Sequence, residues 1–404
     1  MTSTPTVTFL NRKTAPHIMT LILLCGVSSL AMNVFLPSLP GMTAYFETDY
    51  RLIQLSVALY LAVNAGLQIV IGPVSDQFGR RPVMLAGFVM FLLATLGCIY
   101  APNVEVFLFF RMCQAVVAVG MVLSRAIVRD LYDQDKAASM LGYITMGMAV
   151  VPMLGPAVGG VLDQAFGWQA SFWLLFALGL AMLVLTWGDL GETSRTAGRP
   201  LSEQIREYPE LLRSPRFWGY ALASGMASGA FFAYLGGAPF VGTDLYNLTP
   251  ERLGLYFGAP AVGYFVGNYL SGRFSVRVGV NRMVLWGCIL NATGVALSLV
   301  VFMAGYGSAE SFFAFMTFVG LGNGMSIPNA TAGMLSVRPH LAGSASGLGG
   351  AMMLGFGAIL SSLAGAMLTP ESGAFPLLYI MLLTAVGGLI AILGVSYRAR
   401  QLGL

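Results

Sequence analysis

The sequence predicts an all-α membrane protein: twelve transmembrane helices in two six-helix bundles, with both termini cytoplasmic. Three observations carry this. The 404 residues are 57% hydrophobic and only 9% charged, against about 25% charged in soluble domains. Twelve apolar stretches are long enough to cross a hydrocarbon core of roughly 30 Å, which takes about 20 residues. The stretch 72–85, GPVSDQFGRRPVML, returns 200 residues later as GRFSVRVGVNRMVL at 272–285, so the architecture is duplicated. One large soluble core is excluded, because apolar runs of this length would have no surface to cover them.

The spans fall at about 15–37, 50–71, 82–101, 104–126, 138–162 and 169–187, then 216–238, 251–271, 281–304, 310–334, 342–366 and 374–395. Arg12 and Lys13 before the first run resemble a signal peptide, but the run is long and more spans follow, so it reads as a retained helix. The longest polar stretch separates the sixth and seventh spans. It divides the chain into an N-terminal bundle (1–187), a cytoplasmic linker (188–215) and a C-terminal bundle (216–404). Within the linker, 201–213 suits either a short amphipathic surface helix or a solvated connection. With the N-terminus inside, all of the 21 Lys and Arg residues except Arg51, Arg252 and the intramembrane Arg111 lie on the inner side, as the positive-inside rule requires. Six spans return each half to its starting side. The halves are therefore parallel repeats with a cavity between them.

Composition also excludes other chemistries. A net charge of +4 is too small to imply nucleic acid. Cys25, Cys98, Cys113 and Cys288 all lie in apolar spans, the pattern of small buried hydrophobes rather than of disulfides. His17 and His340 are far apart, and no cluster has metal-ligand spacing. No nucleophile constellation, phosphate loop or cofactor motif is present, so neither an enzyme nor a nucleotide-driven pump is expected. The expected partners are lipid bilayer, a small molecule and protons. Both halves lie in one chain, so a monomer is the default.

Between two apolar runs, a short loop bearing Gly, Asp and paired Arg is a tight aqueous turn at a membrane face. Gly72, Ser75, Gly79 and Leu85 match Gly272, Ser275, Gly279 and Leu285, whereas Asp76, Arg80 and Arg81 become Val276, Val280 and Asn281. The first copy therefore carries a task that the second lacks. The loop, in this position, resembles the signature of the major facilitator superfamily between its second and third helices, and the chain is similar to the twelve-span drug:proton antiporters within it. Physically, Asp76 lies on the same face as the start of the eleventh span, where a carboxylate can cap free N–H groups. Arg80 or Arg81 can pair with Asp130, just past the fourth span. Together these would latch the cytoplasmic face; the alternative is plain positive-inside topology.

The fifth span carries GMAVVPMLGPAVGG, whose Gly155, Pro156, Gly159 and Gly160 bend a helix and smooth one face. It is similar to the superfamily's antiporter signature, although Val151 stands where a glycine is expected. Ordinary helix packing would use the same residues. The fourth span carries RMCQA from Arg111, where the family has R-x-x-Q-G. Arginine keeps its charge. About 10 Å below the outer surface by helical rise, it needs a wet cavity or a partner. SLAMNVFLPSLP at 29–40, SRAIVRDLYD at 124–133 and SPRFWGYAL at 214–222 resemble the bicyclomycin and chloramphenicol resistance subfamily (Bcr/CflA). That resemblance implies a proton- and substrate-binding Asp in the first span, where this chain has Asn33.

Asn33 cannot titrate, and all 17 acidic residues fall in loops or near span ends. Proton coupling would then use a peripheral carboxylate such as Asp76 or Asp163, or be less strict. Asn33, Arg111 and Gln114 are expected to form a polar cluster facing the cavity and to favour neutral or anionic groups over lipophilic cations. Further cavity candidates are Asn64, Gln68, Tyr143, Tyr234, Tyr264, Asn268, Asn323 and Asn329. Each could equally make an interhelical hydrogen bond. The expected function is inner-membrane multidrug efflux of amphenicol- or bicyclomycin-like compounds by alternating access with proton antiport. An uncoupled facilitator or metabolite exporter is the alternative, and a non-transporting sensor or scaffold the alternative of another class.

Overall fold

In lipid every backbone N–H and C=O must be satisfied within the protein, which a helix does by itself. The computed structural model describes residues 7–131, 140, 144, 151, 154–193, 209–338 and 342–401, and these are overwhelmingly helical. In chain order the helices are α1 (Ile18–Asn33, resumed at Leu39–Tyr45 after a 3₁₀ turn at Leu36–Ser38), α2 (Tyr50–Phe78) and α3 (Arg80–Ile99). Next come α4 (Val104–Gln114 and Ala118–Leu131, around a 3₁₀ turn at Ala115–Val117), α5 (described at its end, 154–166) and α6 (Gln169–Asp189). The second half has α7 (Pro215–Phe240), α8 (Pro250–Tyr256 and Gly258–Val278), α9 (Val280–Met303), α10 (Ala309–Ser336), α11 (Ala342–Met367) and α12 (Phe375–Gln401). Among the described residues, 8 helices are long and apolar enough to span a membrane by composition alone. The glycine-, serine- and asparagine-bearing α7, α8 and α10 are not among them. Leu93, Val184, Val300, Leu383 and Ile390 point outward, and an apolar girdle of this kind fits a bilayer.

Helix starts follow local chemistry. Asn103, Ser214 and Thr249 accept backbone N–H bonds at the starts of α4, α7 and α8, and Ser308 forms a capping box with Ser311 at α10. The duplication is visible in backbone geometry. Gly79 and Gly279 take φ of 96° and 91°, and each N–H bonds the carbonyl of Ser75 or Ser275. This conformation is open to glycine and strained for other residues. At the opposite end Glu47 and Asn247, also 200 apart, have φ of 49° and 52°. The molecule thus has a Gly79 face and, across the bundle, a face bearing the Glu47 and Asn247 turns.

Within the halves, α1 packs on α4 and α6, and α3 on α4 and α6; α10 packs on α8 and α9, and α12 on α7 and α9. Between the halves, α2 packs along α11, and α7 meets the end of α1. The seam is tight at the Glu47 face. Tyr50 donates to the Gly236 carbonyl at 2.8 Å and its ring meets Phe240. Gly160 lies against Pro250, and Gly254 against Pro156. Toward the Gly79 face α2 and α11 still touch at Gln68 and Gly350, but a Cβ at Gly72 or Gly347 would meet nothing within 4 Å. Among the described residues, the contacts that close the seam gather at the Glu47 face.

Two expectations change. Residues 189–193 belong to the N-terminal bundle rather than to a free linker. Asp189 is fully buried and accepts from Leu10 N, His17 N and Thr20 Oγ1 at 2.7, 2.9 and 2.7 Å. Glu192 accepts from the backbone N–H groups of Arg80 and Arg81. Cys113 is exposed, unlike Cys25, Cys98 and Cys288, because it lies on the face of α4 turned away from the bundle. Most of the 201–213 stretch and Tyr143 lie outside the described residues.

Candidate functional site

The loop between α2 and α3 places Arg80 at the centre of a network. Its guanidinium pairs with Asp76 at 2.6 Å and Asp130 at 3.0 Å, and bonds Ser75 Oγ and the Gly72 carbonyl. Asp76 and Arg80 stand one turn apart across the Gly79 break. Asp130 arrives from the end of α4. Arg81 is not part of this network. It turns the other way and bonds the carbonyls of Leu190 and Trp187. All these contacts lie within the N-terminal half. The residues just before α11, 339–341, where Asp76 was expected to cap, are outside those described.

Arg111 is 1% exposed. It donates to Gln114 Oε1 at 2.6 Å and to the Ala31 carbonyl at 2.9 Å, and its guanidinium lies 4.0 Å from the Tyr60 ring centre and 4.3 Å from that of Phe35. Gln114 passes the chain on to Thr95 of α3 at 2.8 Å. The expected cluster is thus made only in part. Arg111 and Gln114 join, but Asn33 bonds back to the Ser29 carbonyl at 3.4 Å and leaves its Oδ1 without a partner. The guanidinium does not face an open cavity in this state. It is walled in by α1, α2 and α4, because two aromatic faces and a carbonyl freed near the α1 break hold the charge without a carboxylate. Sequence alone misses Phe35, Tyr60, Thr95 and Ala31 O, since aromatic faces and carbonyls 80 residues away leave no local signal.

The remaining candidates divide by setting. Asn64 accepts from Gln68 at 3.3 Å, and Gln68 reaches the seam beside Gly350. Asn268 bonds the Tyr264 carbonyl at 2.8 Å and stays partly exposed. Asn323 accepts from Asn291 of α9 at 3.0 Å, and Asn329 donates to Ser271 of α8 at 2.8 Å, so both serve as glue inside the C-terminal half. Tyr234 is buried in a cage of Phe231, Phe257, Phe312 and Phe313. In α5, Gly159 lies flush on the Val34 carbonyl, and Gly155 faces Leu30 and Asn33. Pro156 and Gly160 meet α8. Among the described residues no cluster of His, Cys, Asp and Glu could hold a metal ion.

Two carboxylates lie beyond the spans at the Glu47 face. Asp163 follows the glycines of α5, and burial pushes its carboxyl above the ordinary range. Asp244, past α7, is pushed the same way by the same cause. It borders a cavity of about 360 Å³ shared with Pro40, Thr43, Ala44, Glu47, Thr48 and Tyr50 of the other half.

The Major Facilitator Superfamily profile matches residues 21–362. The chain belongs to the Major Facilitator Superfamily. It is 31% identical over 383 residues to the uncharacterized MFS-type transporter YdgK of Bacillus subtilis, covering 93% of this chain and 94% of that one. It is 29% identical to a chloramphenicol resistance protein of Pseudomonas aeruginosa, covering 93% and 89%. Against multidrug resistance protein D of Escherichia coli it is 29% identical, covering 94% and 95%. Among solved structures, the peptide transporter POT in complex with sulfate superposes with a TM-score of 0.77 at 15% identity, covering 94% of each chain. This likeness is of fold. The protein is a membrane-embedded transporter of this superfamily, with relatives named for multidrug and chloramphenicol resistance.

Proposed function

We propose that this transporter exports small amphipathic drugs, amphenicol- or bicyclomycin-like, across the bacterial inner membrane by alternating access and proton antiport. The Gly79 face would be cytoplasmic, with both termini there, and the chain would act as a monomer. One observation carries the reading: the contacts that close the seam, from Tyr50 to Gly236 and from Gly160 to Pro250, gather at the Glu47 face, as they would in one end state of a rocking cycle. The Arg80 network stands at the Gly79 face. Asp76, Arg80 and Asp130 form the latch, with Arg81 bracing the turn, and Gly159, with Pro156 and Gly160, lets α5 slide on its neighbours while Gly155 faces mainly side chains. Gln68, which reaches Gly350 across the seam, would line the cargo path with Asn64, Tyr264 and Asn268, and Arg111 and Gln114 would hold the wall of the N-terminal half. The names of the relatives support a drug as cargo.

Inside-out vesicles with an imposed pH gradient test this. Amphenicols, bicyclomycin-like compounds and neutral and cationic dyes are added, and gradient dissipation is followed. Substrate-dependent proton release is expected, and it should vanish in an Arg80→Ala variant. A second reading, an uncoupled facilitator, rests on Asn33: the position faces Gly155 of α5 with an amide that cannot titrate. Substrate movement with no loss of gradient would select it.

A further inference from the structure

We propose that Gln54 is the key that locks the Glu47 face shut, and that its seat is the notch between Gly236 of α7 and Gly365 of α11. The proposal rests on the alternating-access reading above. Gln54 stands one turn into α2 and is 1% exposed. Its Nε2 crosses the seam and donates to both the carbonyl and the Oγ of Ser361, the latter at 2.8 Å. A Cβ at Gly236 or Gly365 would overlap this side chain. The notch exists only because two helices of the C-terminal half carry glycine at the same height. One turn earlier on α2, Tyr50 donates to the Gly236 carbonyl, so both contacts hold the same corner.

The repeat shows that this is more than generic packing. The residue 200 positions on is Gly254, which lies flush against Pro156 and Ala157 of α5. The two related crossings of the seam are thus built differently. At α5 and α8 smooth backbone meets smooth backbone, a contact that can slide. At α2 and α11 a polar side chain enters a fitted seat. The key is also poised for release. Its Oε1 is buried with no hydrogen-bond partner, a cost that water removes once the seam opens. The closed state therefore gains two hydrogen bonds and carries one unsatisfied acceptor, which limits how far the lock favours closure.

Distances between spin labels at the exposed Arg51 and Glu371 report this face. The carrier is the full chain with Cys113→Ser, since the other cysteines are buried. The parent should show mainly the short distance. Gly365→Ala fills the notch, and Gln54→Glu replaces the donor with a buried charge. Each should lower the ratio of closed to open by roughly tenfold. Acid should restore closure in Gln54→Glu, because a protonated carboxyl donates again. Gly347→Ala, on the same helix but facing open space, should change nothing. Unchanged distances in both Gln54→Glu and Gly365→Ala overturn the proposal. If Gly365→Ala fails to fold, Gln54→Glu decides alone, since it adds almost no volume. No drug is needed for this readout. Shifted distances in a protein that moves no drug would keep the lock and sink the export reading; drug export with unmoved distances would do the reverse.

Discussion

Arg111 is the residue whose surroundings matter most. Its guanidinium is fixed by a carbonyl of α1, an amide of its own helix and two aromatic faces. Lysine offers a compact charge with no planar fork to stack between rings. Arg111→Lys should therefore fail to replace it, and Arg111→Ala should cost about 2–4 kcal/mol by loss of two charged hydrogen bonds and two ring contacts. Both variants should lower the thermal midpoint in detergent and reduce transport of all substrates in proportion. A change in substrate preference with an unchanged midpoint would mean that the guanidinium touches cargo. Arg80 makes a second case. Removing one partner of a buried pair costs about 3–5 kcal/mol, but Asp76 and Asp130 keep 16% and 22% of their side-chain surface exposed. Arg80→Ala should thus cost less, about 2–3 kcal/mol, measured by thermal unfolding. The charge of Arg111 and its depth were legible in the sequence; its partners were not, because burial between Phe35 and Tyr60 arises only when three helices meet.

At the scale of the element, the helices were legible because apolar length and polar breaks mark them directly. Their interruptions were less so. The α1 break at Leu36–Ser38 falls on Pro37, which lacks an N–H and is tolerated at a helix start, so α1 resumes to Tyr45 where a stop near 37 was expected. The α4 turn at Ala115–Val117 has no glycine or proline to announce it. In α5, the glycine pattern pointed to close packing but not to which glycine bears it. The structure separates them. A Cβ at Gly159 would overlap the Val34 carbonyl, a rigid backbone atom, whereas one at Gly155 would meet the end of Leu30 at 3.2 Å. Gly155→Ala should be tolerated, with monodisperse protein and near-normal transport. Gly159→Ala should force α5 from α1 and abolish transport, with loss of monodispersity on gel filtration. Equal behaviour of the two would mean that α5 does not seat on the α1 break.

At the scale of the whole molecule, the duplication was legible from one repeated turn, and its geometry recurs at Gly79 and Gly279 and at Glu47 and Asn247. The sequence places Asp163 and Asp244 near span ends, but no pattern in it announces that both carboxyls are partly dehydrated at the closed face. Asp244 shares its cavity with Glu47 and Tyr50. Asp163 follows Gly160, which rests on Pro250 beside Glu251. Burial raises both carboxyl groups above their ordinary values, since dehydration disfavours the charged form. Opening the seam would rehydrate them and return them toward the ordinary range, so the closed state binds more protons. Closure is then fully favoured below the ordinary carboxyl range, and the advantage is lost as pH rises through the raised values. Both groups keep contact with water, so the effect is a shallow slope rather than a switch. Spin-label distances at this face, followed as the pH falls through the carboxylate range, should move toward the closed form. Replacing Asp163 and Asp244 together by Asn should flatten that response. A slope that survives the double replacement would mean that the response does not arise from these two carboxyls, and a slope of opposite sign would mean that they are no drier when the face is shut.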